Sequence, residues 1–426
     1  MNILVIGNGF DLAHDLPTKY TDFLEWVKKY QQFYSYATRK RTAEYKETNE
    51  PILRYFNNLF YVDENKAMCN EIYKLLYDNI WIDYFLHNPM YQKENWIDFE
   101  NEISKVIQSL DNDMHGQLFN CNNHGGHTNN IDDIVYGLSN EFLRKEYSKN
   151  IAAVEPFYPD ISKGISFRTI RDRLFGDLNK LIRAFEIYLT EYVEEIEIKK
   201  KSPDIEELKI DHVLSFNYTH TFSKLYKRER IEKSDSVIFD YIHGEANIDH
   251  FIESNNMVLG IDEYLSDERK NKDIDFIAFK KYYQRIHKQT GCKYKNWVDR
   301  IRQDYFEHIQ KLEDAEYMKQ RYIPDSTQRM FNKLTISALK DEKCPKHNLY
   351  IFGHSLDVTD KDVLKDLILN DNVSATIFYH NKDAMGQQIA NLVKVIGQDE
   401  LIRRTGGSTK TIEFKLQKRM IPIENI

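Results

Sequence analysis

Several short stretches of the 426-residue chain carry residue types that could do chemistry. The first is Gly7-Asn8-Gly9-Phe10-Asp11, directly after the apolar run Ile3 to Ile6. The chain holds only 16 glycines, where average usage would give about 30, so two of them one residue apart at a strand end ask for a reason. Glycines there let the backbone reach positive φ and let a phosphate or ribose approach the amides at a helix N-terminus, which predicts a nucleotide site. The full dinucleotide fingerprint needs a third glycine, and Ala13 and His14 stand where the helix continues. Asp11 reads either as a carboxylate favoured by the helix dipole or as an acceptor for a ribose hydroxyl. Asn217, within Ser215-Phe216-Asn217-Tyr218-Thr219, reads as the cap of a helix beginning near Thr219. His243, before Gly244, reads as a satisfied buried histidine or as a proton acceptor. Gly353-His354-Ser355 combines a turn with a hydroxyl, which suits a ribose or phosphate. Glu100, and Asp262 beside Glu263, are by default exposed or dipole-favoured acids.

These residues need elements to hold them. Ile3 to Ile6, His212 to Phe216, Ser236 to Ile242, Asn348 to Phe352 and Ala375 to Tyr379 are short apolar runs bounded by polar or glycine residues, and read as strands. Residues 20 to 200 read instead as helices, with Phe23, Val27 and Tyr30, then Trp96, Phe99, Ile103, Val106, Ile107 and Leu110, then Leu174, Leu178, Leu181, Ile182, Phe185, Leu189 and Val193 at helical spacing. Trp96 and Phe99 are expected in the core. Asp111 to Asp132, rich in Asn, Gly and His, reads as a loop. An open parallel sheet binds its ligand beyond the carboxyl ends of its strands, at the switch in strand order. Gly7, Asn217, His243 and Gly353 each follow an apolar run, so one such sheet would gather them. The expected architecture is α/β, a Rossmann-type doubly wound, mainly parallel sheet. Residues 1–20, 205–265 and 341–426 would form its discontinuous core, with helical insertions at 21–204 and 266–340.

Two resemblances join these stretches. The opening Gly7-x-Gly9-x-Asp11 with Leu16-Pro17, the Asn217 segment, Tyr241-Ile242-His243-Gly244, and Gly353-His354-Ser355-Leu356-Asp357-Val358 resemble, in order, four motifs of the sirtuins. The opening together with Trp96-Ile97-Asp98-Phe99-Glu100, Phe216 to Thr219, His243-Gly244, Leu259-Gly260-Ile261-Asp262-Glu263 and Gly353-His354-Ser355 looks like the bacterial abortive-infection family AbiH, over essentially the whole chain. The resemblances imply an antiphage effector that binds NAD and hydrolyses its nicotinamide glycosidic bond. Asn217 would position the water and ribose, and His243 would accept a proton. Gly7, Asn8, Gly9, Phe10 and Asp11, with Gly244, Gly353, His354 and Ser355, would hold the cofactor, and Glu100 and Asp262 become possible pocket acids. A phage-derived trigger or partner defence protein and a homo-oligomer complete the expectation. The chain departs from the sirtuin pattern at Asp11, where that family has serine, at Thr219, where it has aspartate, and at Thr18-Lys19-Tyr20, which lacks the phosphate-facing arginine.

Composition bounds the alternatives. A chain of 50.9 kDa with 30% charged residues, 13% aromatics and a mean hydropathy of −0.63 is globular, with enough residues for a large core. The net charge of −8 gives no general attraction to nucleic acid; Lys199-Lys200-Lys201 and Lys227-Arg228-Glu229-Arg230 read as solvated helix ends and turns. No run approaches a membrane span and the N-terminus has no export signature, so a cytoplasmic protein is expected. Cys69, Cys121, Cys292 and Cys344 form no Cys-x-x-Cys pair, which speaks against a disulfide framework and against the zinc ribbon of deacylase sirtuins. Cys121-x-x-His124-x-x-His127 has metal-like ligand types without an evident fourth ligand, and no metal is expected. Two other readings stand beside hydrolysis: a module that senses NAD or ADP-ribose without turnover, and a nuclease with Asp11, Glu100 and Asp262 on a divalent metal.

Overall fold

Ile3 to Ile6 must be buried on both faces to be apolar throughout, and in the structure it is the third strand of a six-stranded sheet. The computed structural model describes residues 1–39, 50–123, 137–151, 165–226, 237–320 and 326–423. The sheet strands are β1 (Asn2–Ile6), β3 (His212–Ser215), β4 (Ile238–Tyr241), β5 (His347–Phe352), β6 (Val373–Tyr379) and β7 (Ile412–Leu416), while β2 (Lys200–Lys201) and β8 (Ile421–Pro422) form a separate antiparallel pair. The sheet is parallel throughout, in the order β4-β3-β1-β5-β6-β7. Counting only its own strands along the chain, that order is 3-2-1-4-5-6, the order of the dinucleotide-binding doubly wound fold. The direction of winding reverses between β1 and β5.

All five expected strands are present with ends shifted by a residue or two; Ser236 lies outside the described residues. Strand β7 was not expected. Alternate residues of β1 feed two cores: Ile3 and Val5 join Leu214, Leu349, Ile351 and Ile377 on one face, and Leu4 and Ile6 join Val213, Phe352 and Phe378 on the other.

The chain divides into two compact units, Met1–Asp15 with Ile198–Ile242 and Gly291–Ile426, and Leu16–Glu197 with His243–Thr290. The first holds the strands with α1 (Asn8–Ala13), α10 (Pro203–Glu206), α11 (Thr221–Tyr226), α13 (Tyr294–Gln320), α14 (Ser326–Asp341), α15 (Lys361–Ile368), α16 (Lys382–Ile396) and α17 (Gln398–Thr405). The second holds α2 (Tyr20–Arg39), α3 (Pro51–Tyr61), α4 (Lys66–Leu76), α5 (Ile80–Leu86), α6 (Pro89–Glu94), α7 (Phe99–Asn123), α8 (Glu141–Ile151), α9 (Phe167–Tyr188) and α12 (Lys281–His287). Its interior is aromatic: Phe23, Trp26, Phe56, Phe85, Phe99 and Tyr188 are fully buried, and Phe85 stacks on Phe99 at 4.0 Å between ring centres.

Two expectations are corrected. Asp111 to Asn123 is helix, the second half of α7, continuing the helix whose buried stripe Val106, Ile107 and Leu110 extends into it at Met114; residues 124–136, with His124 and His127, lie outside the described residues. Trp96 is 55% exposed, ahead of the helix whose buried face begins at Phe99. Among the described residues no helix is long and apolar enough to cross a membrane.

Candidate functional site

Register brings the strand ends to one edge. Ile6 lies beside Ser215 and Phe352, and Ser215 beside Tyr241, so the turns after β1, β3 and β5 leave the sheet side by side. At the reversal point the turns after β1 and β5 are in contact. The Gly9 N–H donates to the Gly353 carbonyl at 2.8 Å and the Gly7 N–H to the Phe352 carbonyl at 3.3 Å. A Cβ on Gly9 would sit 2.8 Å from the Gly353 oxygen, and one on Gly353, whose φ is +67°, only 2.1 Å from the Phe10 nitrogen. The glycines are therefore required by the approach of the two turns. The Phe10 N–H donates back to the Gly7 carbonyl at 2.8 Å, so the amides of Gly7, Gly9 and Phe10 are all taken within the protein. What this turn presents outward is the exposed Asn8.

Asn217 binds the same turn from β3. Its Nδ2 donates to the Gly7 carbonyl at 3.0 Å, and Ser215 fixes its backbone, the hydroxyl accepting from Asn217 N at 3.1 Å and donating to Asn217 O at 2.9 Å. The side chain therefore bridges β3 to β1, while α11 starts later, at Thr221. Asp11 is buried, and its Oδ2 accepts the Thr219 hydroxyl at 2.6 Å, with Thr221 Oγ1 donating to Thr219 Oγ1 at 3.2 Å. Phe10 is a core residue, ringed by Phe222, Tyr226 and Phe352. His14 locks the far end of α1: its Nδ1–H donates to the Phe10 carbonyl at 2.7 Å and its Nε2 accepts the Tyr226 hydroxyl at 2.8 Å, whose oxygen in turn accepts the Ser202 amide. Burial holds this imidazole below its usual pKa and keeps it neutral.

The turn after β5 is tightly constrained. Gly353 and Leu356 both take left-handed φ, +67° and +59°, and for a leucine that conformation is strained. The Leu356 amide donates to His354 Nδ1 at 2.9 Å, which puts the ring proton on Nε2, 3.5 Å from an Asp360 oxygen. The ring stands edge-on to Phe216, 4.3 Å between centres. From α16, Gln388 donates to the His354 carbonyl and Asn391 to the Ser355 carbonyl, at 3.1 and 3.0 Å. The Ser355 side chain is exposed.

The structure thus brings together Gly7, Asn8, Gly9, Phe10, Asp11, Asn217, Gly353, His354 and Ser355 in the first unit. His243, Gly244, Glu100 and Asp262 belong to the second. There His243 is buried, its carbonyl accepting the Val258 amide at 2.7 Å, and Gly244 has φ +79°, with Asn256 backbone oxygen where a Cβ would be. Glu100 neutralises the buried Lys281 at 2.7 Å, as Glu263 does Lys280 at 2.9 Å, and Asp262 is half-buried. Among the described residues no three His, Cys, Asp or Glu side chains gather as a metal set. Sequence reasoning gave no role to Ser215 and Thr221, whose hydroxyls serve Asn217 and Thr219 two residues away, and missed Gln388 and Asn391, which reach the His354 and Ser355 carbonyls from 34 and 36 residues along the chain and carry no local signal.

No curated protein and no solved structure matches the chain. The family described as Bacteriophage abortive infection AbiH matches residues 3–380, from β1 through β6 with everything between them, and stops before α16, α17 and β7. The chain therefore belongs to the AbiH family, whose description assigns it to abortive infection by bacteriophage.

Proposed function

We propose that the protein is an antiphage effector that binds NAD and hydrolyses its nicotinamide glycosidic bond. The observation that carries this reading is the strand order: the reversal between β1 and β5 is where this architecture takes dinucleotides, and the Gly7 and Gly353 turns meet there with Asn217 between sheet and turn. The chemistry asks for little. Nicotinamide leaves as a neutral group, the ribose carbon becomes oxocarbenium-like, and a water must be held against it. Asn217 positions water and ribose, and His243 is the proton acceptor that the resemblance to the sirtuins implies. Asn8 and Ser355, the exposed polar side chains of the two turns, meet ribose and phosphate oxygens in place of the Gly7, Gly9 and Phe10 amides, which are already bonded. A second reading, binding without turnover, draws on the Asn217 amide, whose Nδ2 already serves the Gly7 carbonyl.

The test is chromatography of NAD after incubation with purified protein, alone and with lysate of phage-infected cells. Wild type should release nicotinamide and protect cells. His243→Ala and Asn217→Ala should lose both while staying folded, since removing a general base costs roughly 10² to 10⁴ in rate. NAD recovered intact but bound under all conditions supports the sensing reading. Neither binding nor loss removes both.

A further inference from the structure

Past its first turns, α13 leaves the core. Tyr294, Trp297, Val298 and Ile301 are buried, but among the described side chains of α13 beyond Ile301 only Ala315 is, and in α14 none of them is. The two helices pack on each other, antiparallel, with Lys311 paired to Glu342 at 2.6 Å. At 100° per residue the less exposed positions fix the inward faces: Asp304, His308, Lys311, Ala315 and Met318 on α13, and Asn332, Thr335, Ile336 and Leu339 on α14. Opposite them, each helix turns an apolar stripe to solvent. On α13 these are Phe306 and Tyr317, 64% and 69% exposed; on α14 they are Met330 and Leu334, 68% and 62% exposed, with Phe331 beside them at 72%. The stripes lie on opposite edges of the hairpin and are bordered by opposite charge. Exposed Glu307, Glu313 and Asp314 accompany the first, and exposed Arg329 and Lys333 the second.

We propose that this hairpin joins copies of the chain, the outer edge of α13 in one copy packing on the outer edge of α14 in the next. Charge selects this pairing. A twofold contact through α13 would face acid with acid and one through α14 base with base, whereas the mixed contact joins apolar stripe to apolar stripe with complementary rims. Because the two surfaces differ, the contact is head-to-tail and repeats into rings or open chains instead of stopping at a dimer. Two or three large side chains per edge fall well short of the roughly 800 Å² per partner of a standard interface, so assembly is concentration-dependent and weakens with salt.

Sedimentation velocity of the full chain over rising concentration, at low and high salt, tests this. Wild type should form species larger than a dimer that dissociate on dilution or in high salt, and Leu334→Asp should remain monomeric. Both Glu313→Lys with Asp314→Lys and Arg329→Glu with Lys333→Glu should weaken assembly at least tenfold. The chain carrying all four changes should assemble again, an outcome that misfolding cannot give. A strictly monomeric wild type, a closed dimer, or assembly indifferent to these changes overturns the proposal.

Discussion

Gly7, Gly9 and Gly353 are glycine because two backbone turns touch, and that differs from the reason the sequence suggests. Read alone, a Gly-x-Gly after a strand offers free amides to a phosphate; in the structure those amides bond to the neighbouring turn. Gly353→Ala should cost more than about 2 kcal/mol, since a left-handed alanine is disfavoured by about 1–2 kcal/mol and its Cβ would press on the Phe10 nitrogen at 2.1 Å. Gly386→Ala supplies the contrast. That glycine is exposed within α16 with nothing within 4 Å of an added Cβ, so the change should stabilise by about 0.5–1 kcal/mol. Chemical denaturation of both variants checks the pair; similar effects would contradict the close-approach account. Position along the chain made these residues legible. Their roles depend on β5 lying next to β1, which neither segment encodes.

Elements were legible where burial imposes a period. Strand β1 is apolar at every position after Asn2 because both faces are covered, and α7 keeps its stripe. The Asn and His content of Asp111 to Asn123 misleads because Asn112 and His115 fall beside the buried positions Leu110, Asp111 and Met114, not on them. Strand β7, Ile-Glu-Phe-Lys-Leu at the sheet edge, buries only Ile412 and so lacks the continuous run that marks its neighbours. Nor does the sequence reveal how α9 holds the chain after His243. Glu186, fully buried on α9, accepts the Asn247 amide at 3.1 Å and His250 Nδ1 at 2.7 Å on one oxygen, and Arg183 at 2.7 Å and Asn255 at 2.5 Å on the other. Arg183 also donates to the carbonyls of Asn247 and Ile248. Glu186→Ala leaves Arg183 with Glu71 at 3.0 Å as its remaining carboxylate and strips the acceptor from Asn247, His250 and Asn255, and should cost about 3 kcal/mol, while Glu186→Gln, which keeps the shape, should cost less. Hydrogen exchange should accelerate at Asn247 before it does in α9. Uniform acceleration through α9 would show that the carboxylate holds the helix and not the segment.

At the scale of the molecule, strand order is what no local pattern reports, since 3-2-1-4-5-6 is a choice of neighbours made among runs that look alike. The response to acid is likewise a property of the whole. His14, His212 and His347 in the first unit are each held below the ordinary pKa of 6.5, burial being the largest cause for all three; for His347 it outweighs the attraction of Asp304. Just below that value the unfolded chain binds protons that the folded chain refuses, so this stability is complete above pH 6.5 and is lost as pH falls through the lowered folded values. Net charge acts in the opposite sense. The chain carries −8 at pH 7 and reaches neutrality near pH 6.0, which relieves self-repulsion over the same interval. Eight charges spread over 50.9 kDa lie mostly beyond the screening length of about 8 Å at physiological salt. Burial also raises the carboxyls of Asp22, Asp83, Glu191 and Asp240, which stabilise the fold as they take up protons, but from ordinary values of about 4, so nearer pH 6.5 the three buried imidazoles set the sign. The unfolding midpoint should therefore fall between pH 7.5 and pH 5.5, in dilute solution where neutrality does not cause association. His14→Gln, which can still donate to the Phe10 carbonyl and accept from Tyr226, should flatten part of that slope. A midpoint that rises toward pH 6 would mean that self-repulsion outweighs the histidines, and an unchanged slope in the variant would remove His14 from the account.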